Sequence, residues 1–232
     1  MTIALRAVLL LPVLLATLPA AAQWDVSGSV SVQSEYRYRG QTPGDSAVSP
    51  QLTLNADHAS GWYAGGYAAA MRIGASEGYK LQAYAGYAQR MSSGLSWETG
   101  CNRITYTQSH NNDFHECYAG LNGERISGRL SYAPRYFGWA VRVLYAEANL
   151  FYPLTERINL TAHGGLLYNL DQGTWPGIPA RSRYDVKLGV AIPFGNWTVQ
   201  AAREYSPDDG IRYYGYPVRP AKAWSAGLSY AF

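Results

Sequence analysis

The side chains of this 232-residue chain that could do chemistry are few, and they lean to arginine. Glu35, Arg37, Arg39, Arg125, Arg129, Arg135, Glu147, Arg157, His163, Asp185 and Lys187 take the polar parity of alternating segments. Lys80, Lys187 and Lys222 are the only lysines. Arginine carries a rigid, multi-donor fork that cross-links neighbouring carboxylates. The same groups along a pore favour anions. Arg125, Arg129 and Arg135 make the most basic row, so a mild anion preference is expected if the interior conducts. His163 shares its face with Asn159 and Thr161 and reads as a hydrogen-bonded wall histidine rather than a general base.

Cys101 and Cys117 are symmetric about residue 109, so a hairpin would set them opposite each other, both on its apolar parity. In an exported chain such a pair is expected to close a disulfide. A metal site joining them to His110, Asp113 and His115 matches no regular ligand spacing. Ser109-His110-Asn111-Asn112 is the one suggestive hydrolytic cluster, but a serine nucleophile needs a base and an orienting group that no second segment supplies. Asp208 and Asp209, between Pro207 and Gly210, read as a turn. No catalytic, cofactor or metal site is expected.

These residues depend on strands to position them. Only 15% of the chain is charged, against roughly 25% in an ordinary soluble domain. Aromatics reach 14%, with 20 Tyr, and there are 24 Gly. This mix excludes a disordered chain and argues against a helical bundle. Val26, Gly28, Val30 and Val32 alternate with Asp25, Ser27, Ser29 and Ser31. Leu52, Leu54 and Ala56 alternate with Thr53, Asn55 and Asp57, and Tyr184, Val186, Leu188 and Val190 with Asp185 and Lys187. Successive strand residues point to opposite faces, so each segment has one apolar and one polar face.

Twelve such segments cover 24–39, 47–57, 61–72, 80–89, 95–106, 114–121, 125–134, 140–152, 157–170, 183–194, 197–205 and 221–232. Several match the ~9–11 residues with which a tilted strand crosses a bilayer. Longer and shorter connections alternate strictly, which is the rhythm of an outer-membrane barrel with short periplasmic turns and longer extracellular loops. The fold expected is all-β: an antiparallel up-and-down transmembrane barrel of about twelve strands. Its apolar parity faces lipid, its polar parity faces the lumen, and closure satisfies the backbone. Trp24, Trp62, Tyr63, Trp139, Tyr152, Trp197 and Trp224 then form interfacial girdles. Arg203 is the exception on an otherwise apolar face.

Residues 1–22 read as a signal peptide: Arg6, an apolar run from Ala7 to Leu18, and Ala20-Ala21-Ala22 before the cut. The barrel domain is then 23–232, exported through the periplasm to the outer membrane. Its near-balanced charge gives no reason to expect nucleic-acid binding.

The residues also resemble a known family. Glu35-Tyr36 with Arg39-Gly40, Gly61-Trp62-Tyr63-Ala64-Gly65, Tyr84-Ala85-Gly86-Tyr87 and Tyr118-Ala119-Gly120-Leu121 occur in order. Leu130 through Gly138, Tyr145-Ala146-Glu147-Ala148 and Tyr152-Pro153-Leu154 follow. Together they resemble the TorF family of proteobacterial porins, first catalogued as conserved proteins of unknown function. The terminal Phe232, with Tyr230 and Leu228 on its parity, is similar to the signal by which barrel assembly machinery receives outer-membrane proteins. The resemblance implies a channel-like barrel in outer-membrane lipid that passes small polar solutes, and it brings no catalytic residue. An outer-membrane hydrolase of lipid or peptide and a non-conducting structural barrel are the alternatives.

Overall fold

A computed structural model describes residues 23–42, 47–73, 76–171, 182–207, 212–213, 216–217, 219–220 and 222–232. The proposed signal peptide and the Asp208-Asp209 turn lie outside them. Twelve strands close into one antiparallel barrel. They are β1 (Trp24–Gln33), β2 (Ser49–His58), β3 (Trp62–Ile73), β4 (Ser76–Arg90), β5 (Ser96–Tyr106) and β6 (Phe114–Asn122). The second half is β7 (Ile126–Ala133), β8 (Val143–Pro153), β9 (Asn159–Asn169), β10 (Ser182–Phe194), β11 (Trp197–Tyr205) and β12 (Lys222–Ala231). Each strand pairs with its sequence neighbours, and β1 closes on β12 through Val30 opposite Tyr230 and Val32 opposite Leu228.

The expected parity decides which way the wall faces. Val26, Val30, Leu54, Leu130, Leu188 and Trp224 lie exposed on the outside. Trp224, 71% exposed, suits an interfacial belt. Trp24, Trp62, Tyr152 and Trp197 stand outward at the end that holds the start of β1, the end of β12 and the short turns. That end is periplasmic by the loop-length rule. Tyr63 does not join them: its hydroxyl turns inward to Glu98 and Tyr118. Arg203 does face outward, two residues from the extracellular end of β11, stacked 5.7 Å from the Trp224 ring.

The two largest departures from the expected strand boundaries fall at the end of β1 and at the start of β4. The first strand ends at Gln33 rather than Arg39, because the chain turns into the barrel and the next residues pack against its inner wall. β3 runs on to Ile73 and β4 starts already at Ser76, where the expected strands stop at 72 and resume at 80. Backbone pairing continues past the apolar belt, with Arg72 opposite Glu77 and Ile73 opposite Ser76, and the Arg72–Glu77 ion pair supports it. The strict long–short alternation therefore breaks at this one junction.

Inside, exposure follows height. On β2 the inward series runs from exposed Asp57 through half-buried Asn55, Thr53 and Gln51 to fully buried Ser49. The extracellular half of the lumen holds an apolar core of Tyr36, Met71, Ile104, Tyr106, Phe114, Tyr136, Phe137 and Leu167, among others. Its aromatic centre is contributed by a turn between β7 and β8, Tyr136–Gly138. Phe137 and Gly138 there both adopt positive φ (51° and 75°). Gly138 is required, since a Cβ would collide with the carbonyl oxygen of Asn111.

Candidate functional site: the charged lumen

The segment that leaves β1 builds the site. Tyr38 and Gln41 exchange backbone hydrogen bonds of 2.8 and 3.0 Å, which makes 38–41 a tight turn. Its central residues, Arg39 and Gly40, both have positive φ (49° and 70°), as a type I′ turn demands. A Cβ on Gly40 would strike the Asp185 side chain, so only glycine lets the turn tip approach β10. Gln41–Thr42 then pair with Arg219–Pro220, which tethers the segment to the last outer connection.

Arg39 is placed at the turn tip. Its Nη2 donates to both Glu116 oxygens at 3.0 and 2.8 Å. Its guanidinium lies 4.9, 5.6 and 4.2 Å from the ring centres of Tyr38, Tyr136 and Tyr145. Glu116 also accepts from Asn102 at 3.3 Å. Burying such a charge is tolerable only with this degree of pairing. Lys80, almost fully buried, lies 4.1 Å from the Tyr38 ring centre. Tyr38 in turn meets Phe137 edge-on at 6.2 Å, so the inward segment and the aromatic turn close on each other.

Below this seal three further networks line the wall. Arg37 pairs with Glu35 and, at 3.0 Å, with Glu204, while Lys187 reaches Glu204 at 3.5 Å. His163 Nε2 lies 2.9 Å from Asp185 and its Nδ1 2.7 Å from Asn149, and the Tyr145 hydroxyl donates to Asp185 at 3.2 Å. Arg129 donates Nε and Nη2 to Glu98 at 3.2 and 2.8 Å and stacks 4.4 Å from the Tyr118 ring centre. The walls enclose a polar cavity of about 570 Å³.

Parity within the ladders therefore brings Arg129, Glu147, His163, Asp185 and Lys187 to one interior, and the chain folding inward after β1 brings Glu35, Arg37 and Arg39 to the same place. Neither brings Arg125, Arg135 or Arg157 there. Arg125 lies exposed in the β6–β7 turn with its guanidinium 5.0 Å from the ring centre of outward-facing Tyr152. Arg135 lies exposed in an outer connection and donates to the Gly138 carbonyl at 3.4 Å. Arg157 is exposed in the β8–β9 turn. Alternation holds only within a ladder, and all three sit past a ladder's end, so the basic row shrinks to Arg129. Glu98, Glu116, Glu204, Lys80 and Arg183 also carry interior charge and were missed, although they sit on inward parities. The full charges that line the cavity balance: Arg37, Arg39, Arg129 and Lys187 against Glu116, Glu147, Asp185 and Glu204.

Cys101 and Cys117 are cross-strand partners on the outer face and are joined by a disulfide across 16 positions. In the Ser109–Asn112 cluster the serine hydroxyl accepts from the Asn112 amide at 2.6 Å, and His110 turns instead to Asp113 at 3.3 Å. Among the described residues no group of three His, Cys, Asp or Glu side chains could hold a metal ion.

A closed twelve-stranded barrel with an apolar outer wall and a charged lumen is an outer-membrane barrel of the porin type. The chain belongs to a bacterial family described as of unknown function (Gcw_chp), whose profile matches residues 18–210. Its fold resembles the NanC porin, with a TM-score of 0.61 at 11% identity over 89% of this chain and 99% of that one. It also resembles the KdgM porin, at 0.54 and 14% over 89% and 99%. A second KdgM structure, in complex with disordered oligogalacturonate, scores 0.52 at 14% over 89% and 98%. At such identities the likeness establishes the fold alone. No curated protein matches the chain.

Proposed function

We propose that this protein is a passive outer-membrane channel for small hydrophilic solutes, of the kind the TorF porin resemblance implies. The carrying observation is the polar cavity of about 570 Å³, lined by charged and amide side chains inside a lipid-facing wall. The KdgM structure holding an oligogalacturonate supports a polar solute path through a barrel of this shape. The balanced charge around the cavity argues for weak ion selectivity, in place of the anion preference that the row Arg125, Arg129 and Arg135 suggested. Residues 1–22 direct export, Phe232 engages the assembly machinery, and lipid is the permanent partner of the outer wall. No enzymatic role is proposed.

The aromatic seal favours one second reading, a structural barrel that does not conduct. Swelling of liposomes containing the protein decides between them. Swelling by small sugars supports the channel. A complete lack of swelling supports the structural barrel, and phospholipid hydrolysis would instead reveal the hydrolase.

A further inference from the structure

Three side chains around the lumen cavity carry bonding capacity that the described residues leave unused. Arg39 spends Nη2 on Glu116, while its buried Nη1 has no acceptor. Arg37 contacts Glu204 through Nη1 at an angle outside hydrogen-bond geometry, and its buried Nε has no acceptor either. Both side chains are more than nine-tenths buried, at 9% and 7% exposure for Arg37 and Arg39, and both line the cavity. Guanidinium donors left unpaired in a protein interior are costly, and a small rotation of either side chain toward the cavity would offer them to an acceptor arriving from outside. Glu147 lines the same cavity and makes no hydrogen bond or ion pair with any described residue. Arg129, its partner across the β7–β8 ladder, is committed to Glu98.

We infer that the cavity binds a small zwitterion of the α-amino-acid class, its carboxylate on Arg37 and Arg39 and its ammonium on Glu147. The geometry supplies the two poles side by side. Arg39 stacks on Tyr145, and Glu147 is the next inward residue of β8, roughly 6.6 Å along the strand. Charge balance around the cavity penalises a solute with net charge and admits one with none. The cavity volume of about 570 Å³ suits a ligand of this size. This assignment deepens the channel reading and rests on it, since the cavity becomes a station on the solute's path.

Calorimetric titration of the folded, detergent-purified barrel tests it, with L-glutamine, lactate and glucose as probes. L-glutamine is expected to bind saturably, and lactate and glucose about tenfold more weakly or less. Glu147→Gln, nearly isosteric, weakens glutamine about tenfold and leaves lactate unchanged, whereas Arg37→Lys weakens both. Retention of the heat-dependent gel shift shows that each variant has folded. Equal binding of lactate and glutamine, no response to Glu147→Gln, or no binding at all overturns the inference. Liposome swelling separates the two claims: glucose swelling without glutamine binding keeps the channel and removes the site, while binding without swelling keeps the site and removes the channel.

Discussion

Arg39 donates to both carboxylate oxygens of Glu116, 77 positions further along the chain, from the tip of a turn folded inside the barrel. This contact fastens the segment that leaves β1 to the opposite stretch of wall. With the three tyrosine rings around Arg39, it joins that segment to the aromatic turn at Tyr136–Gly138.

Removing one partner leaves a buried charge without compensation, at a cost of about 3–5 kcal/mol. Arg39→Ala and Glu116→Ala should each lower the temperature at which the folded gel band is lost. They should also raise conductance in planar bilayers by loosening the seal. The double variant should cost less than the two singles combined. An unchanged conductance would show that the Arg39 turn does not limit the passage.

The Cys101–Cys117 bridge closes a loop of 16 positions on the lipid side of the hairpin. By chain entropy such a loop contributes roughly 3 kcal/mol. Cys101→Ala with Cys117→Ala should fold to the same barrel and unfold in less denaturant. Under denaturing conditions, reductant should slow the native protein on a gel and leave the double variant unmoved. Two alkylatable thiols in protein taken from the outer membrane would remove the bridge.

Leu54 faces outward at mid-height of β2, and its neighbour Asn55 faces in. Leu54→Arg should cost about 2–4 kcal/mol, since the charge would sit in hydrocarbon. Asn55→Arg should cost far less, because its side chain reaches the wet lumen. Comparing the two by urea titration in lipid vesicles measures which face meets lipid. Equal costs would contradict the membrane orientation.

At the extracellular rim, Arg142 grips Asp171 through side-chain bonds of 2.6 and 3.0 Å and a backbone N–H bond of 2.7 Å. These bonds hold the Asp171 carboxyl below the usual carboxylate range. A depressed carboxyl contributes stability above its unfolded pKa and loses it as pH falls through the lower folded value. Amide exchange in residues 134–142 should therefore be slow near neutrality and quicken only in strong acid. Asp171→Asn should leave these amides fast at every pH, and an unaltered profile would dissociate the pair from loop order.

Much of this architecture is local and was readable residue by residue. The alternation of Val30 and Ser31, or of Leu188 and Lys187, follows from backbone geometry alone, so strand number and the two faces of the wall followed from it. The Cys101–Cys117 pairing followed from hairpin symmetry. Tyr36 and Tyr38 mark where that logic stops. They continue the apolar parity of β1, yet they pack inside the lumen because the strand ends at Gln33. Arg125, Arg135 and Arg157 likewise lie beyond the ladders that would have pointed them inward. Which carboxylate each arginine meets, and that two inward turns close the extracellular half, depend on contacts between residues far apart in sequence. Period-two alternation determines which face a side chain takes, but only closure of the barrel decides what stands opposite it.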